Sequence, residues 1–389
     1  MSNSSSIMDF ILLAFADTRE LQLLHFWLFL GIYLAALLGN GLIITAVACD
    51  HRLHTPMYFF LLNLSLLDLG SISTTLPKAM ANSLWDTRAI SYPECVAQVF
   101  LLFFFISAEY FLLTVMAYDR YVAICKPLHY GTLLGSRACV HMAAAVWGSG
   151  FLYAVLHTAN TFSLPLCKGN AVDQFFCEIP QILKLSCSHS YLREVGLLVV
   201  SACLAFGCFI SIVLSYVQIF MAVLRMPSEQ GRHKAFSTCL PHLVVISLFV
   251  STGMFAYLKP PRITFPLLNL VVALLYSLVA CLSFGCFASI VLSYVQIFRA
   301  VLRIPSEQGR HKAFSTCLPH LAVVSLFIST SMFAYLKPPS ISSLFMDLVL
   351  AVLYSVLPPA VNPLIYSMRN QELKDALKKL IQSVVFQQQ

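Results

Sequence analysis

Long, uninterrupted apolar runs decide what this chain can fold into. Residues 100–115 read FLLFFFISAEYFLLTV, with Glu109 the only ionisable acid among leucines and phenylalanines. Crossing a bilayer as a helix takes about 20 apolar residues. Backbone groups in lipid must be satisfied within a helix or a closed barrel. The runs here are continuous rather than alternating, which selects helices over barrel strands. The pattern predicts nine spans, near 23–48, 57–80, 96–125, 140–162, 194–224, 236–258, 266–302, 314–336 and 345–367. Charged residues are only 11% and mean hydropathy is +0.81, as an all-α, multi-pass transmembrane bundle requires.

Charge bias gives the expected orientation, because Lys and Arg collect on the cytoplasmic side. Fifteen of the 24 Lys and Arg fall in the segments assigned to that side, including Arg52, Arg120, Lys126, Arg232, Lys234, Arg310, Lys312 and Lys374. The net charge of +7 is then a property of membrane orientation, and no nucleic-acid partner is expected. Residues 1–22 form an extracellular N-terminus, and the C-terminus is cytoplasmic. Residues 1–6 are polar and lack a basic leader, so the first span is expected to act as an uncleaved signal anchor. Asn3 begins an N-x-S acceptor for glycosylation on the outer side, to be used or left bare. Asn63 matches the same pattern but lies inside a span.

A tandem repeat accounts for the surplus spans. Residues 202–279 and 280–357 align without a gap, 78 residues each, with 59 identities and 19 differences. SIVLSYVQIF stands at 211–220 and 289–298, and PSEQGRHKAFSTCLPHL at 227–243 and 305–321. The unit begins and ends inside spans, so 266–302 is a hybrid of the last span's outer half and the fifth span's inner half. Five segments result: 1–22; 23–201 with four spans and the start of a fifth; the copies 202–279 and 280–357; and 358–389, which ends the last span and forms the tail. Removing one unit leaves 389 − 78 = 311 residues.

Few residues in the spans can carry chemistry. Asp119 and Arg120 sit where an apolar helix leaves the membrane, and charge there is costly unless paired or wet. Two readings are open: a cytoplasmic-side marker, or a charge lock in which Asp119 holds Arg120 until the bundle opens. Asn40, Asp68, Glu109 and Asn362 either share one polar cluster with water or an ion, or are satisfied separately. A carboxylate pair there would bind Na⁺ or share a proton, since like charges raise one pKa. Of the 13 cysteines, Cys95, Cys167, Cys177 and Cys187 lie on the oxidising outer side. Four cysteines allow three pairings. A zinc site is the alternative, although the spacings are unlike compact zinc pairs. No nucleotide loop, metal pair or nucleophile constellation points to an enzyme.

The run MAYDRYVAICKPLHY, 116–130, resembles the end of the third membrane helix in vertebrate olfactory receptors, which are rhodopsin-like G-protein-coupled receptors. PPAVNPLIYSMRN at 358–370 resembles that family's last helix, with Asn362, Pro363 and Tyr366 in its NPxxY-type motif. Trp147 resembles its packing tryptophan. The resemblance implies a seven-helix core plus two extra spans, pairing Cys95–Cys177 and Cys167–Cys187. It assigns coupling and activation to Asp119, Arg120, Tyr121, Tyr216 and its copy Tyr294, Lys234 and its copy Lys312, Asn362, Pro363 and Tyr366. It maps an odorant pocket onto Phe103, Phe104, Ile106 and Ser107, Tyr257 or its copy Tyr335, and Ser355. Packing alone is the competing reading for each of these. Sodium near Asp68 and Glu109 is also implied, with no other cofactor.

The family often carries Phe-Tyr-Gly in mid-span six; here the positions read Phe249-Val250-Ser251 and Phe327-Ile328-Ser329, so that part of the switch carries over poorly. The expected function is an odorant receptor at the plasma membrane, in contact with membrane lipid, that binds a small neutral volatile and activates a stimulatory, olfactory-type G protein. The rivals are a non-signalling duplicated product retained in the endoplasmic reticulum and a transporter or channel. The second repeat pair, which leads directly into the last helix, is expected to fill the fifth and sixth positions of the bundle.

Overall fold

The computed structural model describes residues 8–13, 18–167, 169–186, 191–225 and 371–386, with single positions between 228 and 246 and between 352 and 366. Helices dominate: α1 (Arg19–Cys49), α2 (Pro56–Trp85), α3 (Tyr92–Cys125), the short α4 (Tyr130–Leu133), α5 (Ser136–Phe162), the short α6 (Ile179–Leu185), α7 (Tyr191–Leu224) and the terminal α8 (Gln371–Phe386). Among the described residues five helices are long and apolar enough to cross a membrane: α1, α2, α3, α5 and Cys203–Val223 within α7. They correspond to the first five expected spans. The hybrid and the span near 314–336 lie outside the described residues. So do Asn3, Cys187, Lys234, Tyr257, Tyr294, Lys312, Tyr335 and Ser355.

Helices overrun the apolar runs because caps, not hydropathy, end them. α3 begins at Tyr92 rather than near 96, since Ser91 and Glu94 form a reciprocal capping box and Pro93 sits in the first turn. α2 runs on to Trp85, where Asp86 takes a left-handed conformation. Arg19 of α1 donates to the carbonyls of Ser83 (3.1 Å) and Leu84 (2.6 Å). Its cation thereby satisfies orphan acceptors at the negative end of the α2 dipole. Gln22 donates to the Asp86 carboxylate at 2.6 Å and fixes the turn.

Periodicity gave no sign of a small sheet at one end of the bundle. β1 (Asp9–Leu12) lies between β2 (Ala89–Ser91), antiparallel to it, and β3 (Ala171–Val172), parallel to it. Phe10 and Leu12 are fully buried among Ile90, Val99, Val172 and Ile182. Burial of that kind contributes about 1.5–3 kcal/mol per side chain. The Cys95–Cys177 disulfide ties the start of α3 to the same cluster.

A second core joins α1, α2 and α3 to the last span through Phe29, Ile72, Leu76, Leu102 and Val356. At the opposite end of the bundle, α8 rests its buried Leu373 and Ala376 on the protein, and Tyr58 of α2 donates to the Glu372 carboxylate at 2.9 Å. Nearby, hydrogen bonds from Arg52 hold the Asp50 carboxyl down to about 2.

Contacts divide the chain into two units. The first comprises Met1–Phe249 with Ser342–Gln389, and the second is Val250–Ile341, outside the described residues. The first unit therefore holds the fifth span and the start of the sixth from the first repeat copy, where the second copy is expected. Ile219 and Val223 of α7 pack with Ala235 and Cys239 against Tyr121, Ile124 and Cys125 of α3. The packing faces are the same in both copies, so they cannot decide between them. The decisive contact lies just before the repeat. Ser201 precedes the repeat and bonds His157 of α5 at 2.7 Å. Four residues on, already within the repeat, Tyr110 of α3 donates to the Ala205 carbonyl at 2.8 Å. In the hybrid span the position equivalent to Ser201 is Val279, which offers no hydroxyl.

Candidate functional site

Two polar centres are built along α3. The first lies deep in the bundle. Asp68 of α2, Glu109 of α3 and Asn362 of the last span are all buried. The Asn362 amide donates to both Asp68 oxygens at 3.1 Å and to Glu109 at 3.4 Å. Asn40 of α1 lies beside them rather than in the same bonds. Its amide donates to Pro359 of the last span (3.0 Å) and to Ala36 (3.1 Å). Gly39 permits this approach: a Cβ there would stand 3.0 Å from the Pro363 ring.

Among the described residues neither carboxylate meets a Lys, Arg or His. The side-chain oxygens of Asn40 and Asn362 and the Tyr366 hydroxyl have no hydrogen-bond partner there. Two carboxylates and orphaned amide oxygens are a hard-oxygen set, which suits a proton or a small hard cation. No group of three His, Cys, Asp or Glu among the described residues is placed to hold a metal.

The second centre closes the inner end of α3. The Arg120 Nε donates to Asp119 Oδ2 at 2.8 Å, and a second guanidinium nitrogen meets the same oxygen. Asp119 is 1% exposed and Arg120 9%. The Tyr130 hydroxyl of α4 donates to Asp119 Oδ1 at 2.8 Å, so the carboxylate is fully employed. Burial, and then the nearby Asp119 charge, push the Tyr130 phenol up. Beside this lock, Tyr216 of α7 and His242 of the sixth span share a 2.6 Å hydrogen bond, both packed into the bundle. Lys126 lies 5.6 Å over the Tyr121 ring.

The residues mapped to a ligand on α3 divide between two faces. Ile106 packs on the α1–α2 core. Phe103, Phe104 and Ser107 face α5: Phe103 lies against Tyr153 and His157, and Phe104 against Trp147 and Phe151. The Ser107 hydroxyl donates to the Phe103 carbonyl at 2.7 Å. α5 can come that close because residue 150 is glycine; a Cβ would stand 2.8 Å from Ala108. Trp147 serves packing and more, donating to Asn63 at 2.9 Å. Cys167 is disulfide-bonded to a residue outside the described set. Tyr130, Asn63 and the His157–Ser201 pair escaped the sequence reading, since each is joined only by the fold.

The two centres are a buried carboxylate–amide cluster and a buried carboxylate–guanidinium pair. Comparison with known proteins gives it a family. The family described as olfactory receptor matches residues 29–282 and 257–383, two overlapping stretches that together take in both repeat copies. The human olfactory receptor 14C36 is 40% identical over 386 residues, covering 99% of each chain. The human olfactory receptors 14J1 and 14A16 are each 42% identical over 381 residues, covering 98% of this chain and 94% and 98% of theirs. The match by family and by relatives runs nearly end to end, and the chain belongs to the olfactory receptor family.

Proposed function

We propose that this odorant receptor responds to a small, neutral volatile molecule and activates a stimulatory, olfactory-type G protein. The observation that carries the reading is the buried Asp119–Arg120 pair capped by Tyr130. A guanidinium held this way is unavailable to a partner until the helices separate. An odorant need only bind the separated state more tightly, because a ligand shifts such an equilibrium by its differential affinity. The partner then meets Arg120 with Tyr121, Tyr216 and the basic start of the sixth span.

The odorant would lie against the outer half of α3, on the side where Phe103 meets α5. The chain would sit in the plasma membrane with its N-terminus outside, its C-terminus inside and α8 along the inner leaflet. Asp68 and Glu109, with the Asn362 oxygen, would hold a sodium ion or share a proton, either of which offsets the charge of two buried acids.

The test is cyclic AMP in cells expressing the full chain, with surface delivery checked on an N-terminal tag. An odorant-dependent rise that vanishes in cells lacking stimulatory α subunits supports the reading. Ion flux without any G protein would favour a channel. A chain held inside the cell that signals only after deletion of 280–357 would assign the duplicated product no receptor role.

A further inference from the structure

His157 stands in the middle of a box built from three helices. Its ring centroid is 4.7 Å from that of Phe103 on α3 and 4.5 Å from that of Tyr153 on α5. Its Nε2 lies 2.7 Å from Ser201 Oγ on α7. The residue is 9% exposed.

Hydrogen-bond accounting fixes which nitrogen carries the proton. A serine hydroxyl has one proton to give. Ser201 Oγ lies 2.7 Å from the Leu197 carbonyl, which can only accept, so the proton goes there. Toward His157 the same oxygen must accept, and Nε2 must donate. In the neutral ring Nδ1 is then a bare lone pair. Among the described residues no hydrogen bond reaches it. Nature seldom leaves a buried acceptor idle, since the unpaired group costs about 1–3 kcal/mol.

We infer that His157 Nδ1 is the hydrogen-bond acceptor of the odorant site, and that it selects molecules carrying a hydroxyl: aliphatic or aromatic alcohols and phenols. The proposal rests on the chain's reading as an odorant receptor. Phe103 and Tyr153 stack on each other at 5.4 Å, so the apolar body of such a ligand lies beside that pair rather than between its rings, and its hydroxyl donates to Nδ1. Ser201 acts as a positioning residue, because it holds the tautomer that leaves Nδ1 free. Ethers, aldehydes and ketones present only acceptors and would set lone pair against lone pair. Sites built to bond a hydroxyl reject analogues lacking it far more strongly than apolar pockets reject a missing methylene.

The experiment uses the full chain in cells supplied with a stimulatory olfactory α subunit, with cyclic AMP as readout and surface staining of an N-terminal tag. The probes are straight-chain, branched and aromatic alcohols, each paired with its own methyl ether. The most active alcohol is expected to reach half-maximal response at a concentration at least tenfold below that of its ether. His157→Phe keeps a ring but removes the lone pair, and should erase that ratio. His157→Asn, whose carbonyl oxygen stands about where Nδ1 does, should restore part of it, which a packing role would not. If the Phe variant fails to reach the surface, Ser201→Ala is read instead: it frees the tautomer, and the ratio should shrink. Equal potency of alcohols and ethers, or an unchanged ratio in the variants while responses persist, overturns the inference and leaves the receptor reading standing. Silence of the surface-delivered chain toward these and a wider odorant set overturns the receptor reading, and the inference with it.

Discussion

Replacing Asn362 by alanine removes the sole hydrogen-bond donor that the described residues supply to two buried acids. Its amide makes two 3.1 Å bonds to Asp68 and a longer one to Glu109. All three side chains are at most 2% exposed, so bulk solvent does not reach them. A hydrogen bond to a charged group contributes about 1.5–3 kcal/mol, and a buried group stripped of its partner costs at least as much. The expected loss is therefore about 3 kcal/mol. At about 2–4 °C per kcal/mol for a chain of a few hundred residues, the melting temperature in detergent should fall by roughly 6–12 °C.

Exchange of the pair tests the cause. Asp68→Asn with Asn362→Asp keeps one amide and one carboxylate facing each other, and should recover at least half of the loss suffered by Asn362→Asp alone. Coupled neighbours are non-additive in this way, and distant ones are not. A melting temperature within 1 °C of the unaltered protein for Asn362→Ala would refute the reasoning. So would an exchange no better than the single change.

Other outcomes follow from particular contacts. Gly150→Val should lower surface yield severely, because its side chain meets Ala108 across the α3–α5 contact, and overpacking costs about 1–3 kcal/mol; Ala108→Gly in the same chain should restore part of the yield of Gly150→Ala. Phe10→Asp places a charge in the core beneath β1, and limited proteolysis from outside the cell should then cleave before Tyr92 faster than in the unaltered chain. Trp147→Phe keeps the ring stack but drops the 2.9 Å bond to Asn63, and should cost about 1 kcal/mol in thermal stability.

Much of this was legible in the sequence because lipid is an unforgiving solvent. The first five spans stand out as apolar runs, and the acids among them, Asp68 and Glu109, stand out as exceptions that need partners. The resemblance brought Cys95 to Cys177, and the disulfide is there. Helix ends were less legible: Ser91 with Glu94 is a capping signal, but it lies outside the apolar run that defines the third span.

Other features depend on the fold. β1 is four residues whose partners are 78 to 160 positions away, so no local period reveals it. Tyr130 is eleven residues from Asp119 and reaches it only because α4 folds back on α3. The repeat posed the sharpest limit. Tyr216, Cys239 and His242 have identical counterparts in Tyr294, Cys317 and His320, so side-chain chemistry could not choose between copies. Connection to the last helix pointed to the second copy. The contacts of Ser201, which lies before the repeat, tie the first copy to α5 instead.

The account turns on whether Arg120 is hidden at rest and needed when the bundle opens. Odorant-evoked cyclic AMP, measured for Arg120→Ala beside the unaltered chain at matched surface levels, addresses that directly. Loss of the evoked signal, with odorant binding retained, is the predicted result. An alanine variant that signals as fully as the unaltered receptor would contradict it.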